Sequence, residues 1–243
     1  MARQVFARIA LIVAAALCLA SASAAPAGAG TPYTAYAVCP LNGARVSYTG
    51  AHSYSIFGRE TDGKPYGSWD FPLEMARCPG SGLPIYQEKF TSDEAKALKA
   101  LVATPGYQAI KGETTYFVLA YVFQAQGRPI SMQMDALLAA SFEVRDDPPV
   151  YARYAKVFVE RGALRLAELT PAQGDWWMLQ LITINIVRQT RDFASAQARL
   201  DSLPDTATPR FKLYLQQTRE LIAAKDSAPH QRVKYLGEVK PSG

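Results

Sequence analysis

The sequence is poor in the side chains that most often perform chemistry. Only two histidines are present, His52 and His230, and of three cysteines only Cys39 and Cys78 lie beyond the N-terminal segment. It contains no P-loop, no G-x-G-x-x-G and no G-x-S-x-G nucleophile elbow. These absences exclude most histidine- or cysteine-based chemistry and indicate no cofactor. We therefore favour a non-enzymatic function, while leaving enzymatic activity open.

The sequence also has only a small net charge. The formal net charge is +5, and the composition is 49% hydrophobic and 19% charged. This excess is too small to indicate nucleic-acid binding. The proportions are typical of a folded protein and exclude disorder of the whole chain.

The N-terminal segment predicts export. Residues 1–24 hold two arginines, an apolar run over 9–20 and the small residues Ala22-Ser23-Ala24, which is the pattern of a cleaved signal peptide. The apolar run is shorter than the ~20 residues that a transmembrane helix needs. A leucine precedes Cys18 where a lipobox has a small residue, which favours cleavage over lipidation. We expect a periplasmic or secreted protein with no transmembrane span after cleavage.

The remaining chain divides by composition into four parts. Residues 25–36 are small and Gly/Pro-rich, which predicts a flexible linker. Residues 37–90 are rich in turn signals and aromatic residues and predict a small β-rich module. Residues 91–226 show helical periodicity, and residues 227–243 show none and predict a loose C-terminal tail.

Helix boundaries are well signalled in the third part. Thr91 and Glu94 have the spacing of a capping box, and Gly162 is a possible break. The predicted helices are about 92–103, 113–126, 129–144, 150–168, 175–190, 192–203 and 209–225. The fold class that follows is α+β, mostly α, with an antiparallel, TPR-like stack of α-hairpins. The helix that starts near Trp176 is apolar nearly all round and is predicted to be the central core helix.

Two matching pentapeptides are the most informative local feature. Cys39-Pro40-Leu41-Asn42-Gly43 and Cys78-Pro79-Gly80-Ser81-Gly82 share the frame C-P-x-[NS]-G. Zinc knuckles read C-P-x-C-G, in which two cysteines bind the metal and the glycine permits the turn. Here Asn42 and Ser81 stand where each second cysteine would be. We name these two segments the knuckles.

The predicted export determines whether Cys39 and Cys78 bind a metal or form a disulfide. A structural zinc normally needs four good ligands, and Cys39 and Cys78 supply two, with His52 a possible third. In an oxidising compartment two such cysteines form a disulfide. Paired knuckles would bring them together, so we predict a Cys39–Cys78 disulfide and no bound metal.

The order of these features resembles an uncharacterised bacterial family. That family has paired C-P-x-C-G knuckles followed by a TPR-like helical region, and the likeness covers roughly residues 37–200, including the stretch from Thr115 to Gly127. The resemblance implies a zinc-ribbon-like module and a helical interaction region. It implies no enzymatic activity.

The insert between the knuckles, residues 44–77, is the candidate binding segment. It combines aromatic and charged side chains, the candidates being His52, Tyr54, Arg59, Glu60, Tyr66 and Asp70. Such a set suits a peptide or glycan partner, although Tyr48, Phe57 and Trp69 are better explained as the core of the module itself. Glu60 and Asp70 would be the paired carboxylates if the insert hydrolysed a glycan.

Three functions follow, in order of preference. The first is an exported protein-interaction or scaffold protein whose partner is another envelope protein. The second is an envelope hydrolase or carbohydrate-binding protein that uses the insert. The third is a residual metal-binding module. The sequence does not indicate the oligomeric state.

Overall fold

The computed structural model describes residues 30–235. The predicted signal peptide lies outside these residues, as do the first part of the predicted linker, residues 25–29, and the last part of the predicted tail, residues 236–243.

Two small antiparallel sheets open the fold. Strand β1 (Pro32–Val38) pairs with β2 (Arg45–Ala51), and β3 (Ile56–Arg59) pairs with β4 (Pro65–Gly67). The β-rich module is thus confirmed, but its first strand begins earlier than predicted. Residues 32–36, assigned to the flexible linker, belong to β1 because they pair with residues 47–51 of β2.

Eight helices follow within the described residues. They are α1 (Ser92–Val102), α2 (Pro105–Ile110), α3 (Thr115–Ala125), α4 (Ile130–Glu143), α5 (Pro148–Leu166), α6 (Gly174–Gln189), α7 (Phe193–Asp201) and α8 (Pro209–Ala223). The capping box at Thr91 and Glu94 is present. Together with the two sheets, these helices confirm the predicted class, α+β and mostly α.

Two helix predictions were wrong in detail. Helix α2 lies between two predicted helices, 92–103 and 113–126, where none is predicted because Pro105 and Gly106 also suit the end of a helix. In the structure Pro105 occupies the first turn after the N-cap Thr104, where proline is well tolerated. Gly162 is not a break. It lies inside α5 and is buried against α4, with Met134 Cε 3.5 Å from the place that a Cβ would occupy.

Helix α6 is the centre of the helical region, as predicted. It packs against α5, α7 and α8, and α3 to α5 pack successively beside one another. Trp177 and Leu181 of α6 are each 2% exposed, and Ile184 and Ile186 are fully buried. Among residues 30–235, no helix is both long and apolar enough to cross a membrane.

The β-rich module and the first helices share one hydrophobic cluster. The two cysteines and Leu83 lie in it together with residues of α1, α2 and α3. The buried helical members are Leu98, Tyr107, Val118 and Val122. Since these side chains are fully buried, the knuckles are fixed to the helical region by packing as well as by sequence continuity.

The chain after α8 returns to the β-rich module. The Thr61 N–H donates to the His230 carbonyl at 2.7 Å, and the Arg232 N–H donates to the Arg59 carbonyl at 2.9 Å. Glu60 and Gln231 form an antiparallel bridge between these contacts. The prediction of a loose tail is therefore wrong for its first residues, because the backbone there pairs with the end of β3.

Candidate functional site

The two knuckles have the same backbone hydrogen-bond pattern. The Gly43 N–H donates to the Cys39 carbonyl at 2.9 Å, and the Gly82 N–H donates to the Cys78 carbonyl at 3.0 Å. Both glycines have positive φ, +72° and +68°, which non-glycine residues rarely adopt. The likeness read from the pentapeptides is thus also a likeness of conformation.

Asn42 and Ser81 support the turns with their own side chains. Asn42 Oδ1 accepts from the Ala44 N–H at 3.0 Å, and Ser81 Oγ accepts from the Leu83 N–H at 3.3 Å. The residues that stand where a zinc knuckle has its second cysteine therefore hold the turn by hydrogen bonds. Pro40 follows the first cysteine of the pair in the same frame, as Pro79 follows the second.

The disulfide prediction is confirmed. Cys39 and Cys78 are joined with an S–S distance of 2.04 Å and a Cα–Cα distance of 5.2 Å, and both residues are buried. Because each sulfur is bonded to the other, neither is a thiolate that a metal could bind. Among residues 30–235, no group of three or more His, Cys, Asp and Glu side chains is arranged to hold a metal ion.

The aromatic residues of the insert pack separately. His52 stacks on Tyr33 with ring centroids 4.2 Å apart, and Tyr54 meets Phe71 edge-on at 5.4 Å. Tyr66 lies across β3 at Gly58, where a Cβ would come within 2.5 Å of the tyrosine hydroxyl. These contacts stabilise the small sheets, and they do not bring the predicted binding residues into one site.

The charged residues of the insert are also separated. Arg59 donates to the Gly63 carbonyl at 3.1 Å, and Glu60 pairs with Arg145 of the helical region at 2.5 Å. Asp70 has a side chain that is 94% exposed and pairs with Lys64 at 3.2 Å. Glu60 and Asp70 are thus committed to different partners, and this arrangement gives no support to a hydrolytic carboxylate pair.

A buried polar network joins the module to the helices, and sequence reasoning missed it. Asp62, whose side chain is 1% exposed, accepts from Arg145 Nη2 at 2.6 Å. Burial alone would lower the pKa of the Arg145 guanidinium, but the charges of Asp62 and Glu60 outweigh burial and raise it. Asp62 lies in the turn Asp62-Gly63, which the sequence marked only as a turn.

Arg188 of α6 extends this network to the C-terminal segment. It is fully buried and donates to Asn185 Oδ1 at 3.0 Å, to the Ala228 carbonyl at 3.0 Å and to the Asp226 carbonyl. A further contact at 3.3 Å reaches Thr61 Oγ1. Burial lowers the pKa of Arg188, with the Asp226 charge opposing that shift. The network has a structural role, since the Arg188 N–H groups donate to carbonyl and side-chain oxygens and hold the C-terminal segment against α6.

An open groove crosses α4, α5 and α6, and we call it the helical groove. Its cavity is about 300 Å³. Apolar side chains form its floor, namely Met134, Leu138, Phe158, Met178, Leu179 and Ile182. Asp135, Arg165 and Asp175 stand among them. The groove is therefore apolar at its base and charged at its sides.

The charges of the helical groove are unevenly compensated. Arg165 pairs with Glu168 at 2.8 Å, whereas no ion pair within the described residues engages Asp135 or Asp175. Burial raises the pKa of the Asp135 carboxyl, and Arg165 opposes that shift. The groove thus holds two carboxylates and one arginine next to an apolar surface, and neither carboxylate forms an ion pair within the described residues. The sequence indicated that α4 and α6 are rich in apolar residues, but not which of them stay uncovered.

Comparisons with known proteins add no relative. No protein-family model, no curated protein and no solved structure matches this chain. The resemblance to a family with paired zinc knuckles accordingly stays a prediction that rests on the knuckles themselves.

Proposed function

We propose that this chain is an exported, non-enzymatic protein that binds another cell-envelope protein through the helical groove. The single observation that carries the proposal is an open, apolar groove of about 300 Å³ in the helical region, flanked by acids without an ion-pair partner in the described chain. Binding at such a surface needs no reactive side chain. The disulfide supports export, because such bonds persist in oxidising compartments.

The groove also defines the partner's chemistry. Apolar side chains of the partner would cover the floor beside Phe158 and Ile182, and lysine or arginine side chains would face Asp135 and Asp175. A short amphipathic segment with basic residues beside its apolar face meets both requirements.

The groove is tested by site-specific photo-crosslinking in the native envelope. A photoreactive side chain is introduced at Ser131, which lines the groove, and in a control at Glu88, which is exposed and distant in sequence from every groove residue. We expect a specific cross-linked partner from position 131 and none from position 88. The same product from both positions, or none from either, would contradict the proposal.

The identified partner then allows a quantitative test. Charge reversal at both acids, Asp135→Lys with Asp175→Lys, is expected to weaken binding of the purified partner about tenfold or more, because two charge pairs become repulsive. Glu88→Lys is the matched control and should bind as the unmodified chain does. Unchanged affinity in the double variant would exclude the groove as the binding site.

Export is tested separately. N-terminal sequencing of the protein recovered from its native host is expected to begin at Ala25, directly after the predicted cleavage site. A protein that begins at Met1 and remains in the cytoplasm would contradict this part of the proposal.

A further inference from the structure

A second cleft lies in the β-rich module, apart from the helical groove. It measures about 330 Å³ and opens between the β1–β2 hairpin and residues 73–76. Four tyrosines line it, Tyr33, Tyr48, Tyr86 and Tyr116, and we call it the tyrosine cleft. None of its lining residues lines the helical groove.

The two tyrosines from outside the hairpin are held in place by hydrogen bonds. Tyr116 donates its hydroxyl proton to the Leu73 carbonyl at 2.8 Å. The Tyr86 hydroxyl accepts from Gln126 Nε2 at 2.9 Å. Burial raises the pKa of Tyr116 to about 12, with the Glu143 charge adding to that shift, so this ring stays neutral at physiological pH. The Tyr116 ring is therefore neutral, and hydrogen bonds hold both rings on the side of the cleft opposite the hairpin.

The hairpin supplies the other wall. Tyr33 is 40% exposed and lies against Gly50 of β2, where a Cβ would come within 2.6 Å of its ring. Only glycine leaves room for this ring, and His52 stacks against it. Tyr48, on the same face of the hairpin, is partly buried. The aromatic surface of the cleft thus depends on a glycine that sequence reasoning did not single out.

One carboxylate completes the tyrosine cleft. Glu74 Oε2 accepts from the Thr49 N–H at 3.1 Å, which fixes the carboxylate at the edge of the hairpin. Among the described residues that line the cleft, Glu74 is the only charged one. No ion pair within residues 30–235 compensates it.

We propose that the tyrosine cleft binds a small organic cation, of the alkylammonium or quaternary ammonium class. Aromatic rings attract cations through the negative potential of their faces, and a nearby carboxylate adds to that attraction. A neutral sugar would gain nothing from the Glu74 charge, and the Tyr86 and Tyr116 hydroxyls are already hydrogen-bonded. The volume lies at the lower end of the usual range for ligand sites, which favours a small molecule.

Choline and its neutral isostere distinguish charge from shape. Titration of the full mature chain with choline, followed by calorimetry, is expected to show saturable binding. The isostere 3,3-dimethylbutan-1-ol is expected to bind at least about fivefold more weakly, because it keeps the shape but loses the charge. Equal binding of both compounds, or no saturable binding of choline, would overturn the proposal.

Three variants locate the binding. Glu74→Gln keeps an oxygen for the Thr49 N–H and is expected to weaken choline binding about fivefold, as is Tyr48→Leu. Tyr36→Leu is the matched control, because Tyr36 is exposed on the opposite face of β1, beneath Arg45. If Tyr36→Leu weakens binding as much as Tyr48→Leu does, the cleft is not the site.

The inference is independent of the proposed partner surface. The double variant Asp135→Lys with Asp175→Lys changes the helical groove only, so it should bind choline as the unmodified chain does. Far-UV circular dichroism and the melting temperature of each variant show that it is folded. A loss of choline binding in a folded groove variant would contradict a separate site in the tyrosine cleft.

Discussion

Asp62 Oδ2 and Arg145 Nη2 lie 2.6 Å apart and join the turn after β3 to the segment between α4 and α5. The Asp62 side chain is 1% exposed and that of Arg145 is 17% exposed, so the pair is largely withdrawn from water. Glu60 Oε2 accepts from the second terminal nitrogen of the same guanidinium, Nη1, at 2.5 Å. One arginine thus connects two carboxylates of the β-rich module to the helical region.

Asp62→Ala should therefore destabilise the fold strongly. Removing one partner of a buried ion pair leaves the other charge uncompensated, which costs about 3–5 kcal/mol. We expect a loss of about 3 kcal/mol in the free energy of unfolding, because Glu60 still neutralises part of the Arg145 charge. Urea unfolding measures it. Asp70→Ala is the control, since its pair with Lys64 is exposed and should contribute little. Equal losses in the two variants would contradict the structural role of the buried pair.

Arg188→Lys is expected to release the C-terminal segment from the module. Lysine cannot reproduce the contacts that the planar guanidinium makes with the carbonyls of Asp226 and Ala228 and with Asn185. We expect a loss of about 2–3 kcal/mol, because buried acceptors remain unpaired. Hydrogen exchange should show faster exchange at the Thr61 and Arg232 amides before the helices are affected. Arg219→Lys, on the exposed surface of α8, is the control. If Arg219→Lys accelerates exchange at these amides as much as Arg188→Lys does, the attachment of the C-terminal segment does not depend on Arg188.

Reduction of the disulfide should destabilise the β-rich module. The bond closes a loop of 39 residues, and the chain-entropy model assigns about 4 kcal/mol to a loop of that length. Urea unfolding with and without reductant measures the difference. The variant Cys39→Ser with Cys78→Ser is the control and should show no response to reductant. A chain equally stable in both redox states would contradict this prediction.

Adding a second cysteine to each knuckle tests the resemblance to zinc knuckles. Asn42→Cys with Ser81→Cys would place four thiols in two frames that share one backbone pattern. After reduction, we expect this variant to bind one Zn²⁺ per chain, because four thiolates complete a tetrahedral site. The reduced unmodified chain is the control and should bind zinc far more weakly. Elemental analysis after desalting measures it, and absence of zinc from the variant would contradict the zinc-ribbon interpretation.

Glu113 should make stability depend on acid pH. A hydrogen bond from Arg153 lowers the pKa of the Glu113 carboxyl, and Tyr154 donates to the same group at 2.7 Å. The folded-state pKa lies below the unfolded value, so the stabilisation is present above the unfolded pKa and lost as the pH falls through the folded pKa. Glu113→Gln should cost roughly 1 kcal/mol at neutral pH, a modest value because Arg153 is half exposed.

Urea unfolding at several pH values tests whether the stabilisation by Glu113 falls or rises with decreasing pH. The difference between the unmodified chain and Glu113→Gln should shrink as the pH falls below the ordinary range of a glutamate. Glu160→Gln, at an exposed position of α5, serves as the control, and an equal pH response in the two variants would contradict the assignment to Glu113. A difference that grows in acid would contradict the assigned direction of the shift.

Local signals in the sequence predicted much of this fold. The capping box at Thr91, the apolar helix α6 and the repeated knuckle frame each depend on residues close together in the chain, and each is present. Helix α2 was missed because a proline in the first turn of a helix and a proline that ends one look alike in the sequence. Proline propensity alone therefore cannot show whether Pro105 ends one helix or begins the next.

The long-range contacts were not predictable in the same way. Nothing near Asp62 indicates that Arg145 will face it, and nothing near Gln231 indicates a bridge to Glu60. Such pairs depend on how distant elements pack. For the same reason the sequence predicts one binding segment in the insert, although Glu60 forms an ion pair with Arg145 and Asp70 forms one with Lys64. The helical groove and the tyrosine cleft are likewise products of packing, since each is lined by residues from several elements.

The backbone bridge between Glu60 and Gln231 has a consequence for biogenesis. The β3–β4 hairpin beside Glu60 precedes helices α1 to α8 in the chain, whereas Gln231 follows α8. A chain interrupted between residues 223 and 230 would carry helices α1 to α8 and still lack this bridge. This pairing can therefore form only after α8 has been synthesised, and a product shortened before residue 228 would leave the backbone groups of Arg59 and Thr61 without these hydrogen bonds.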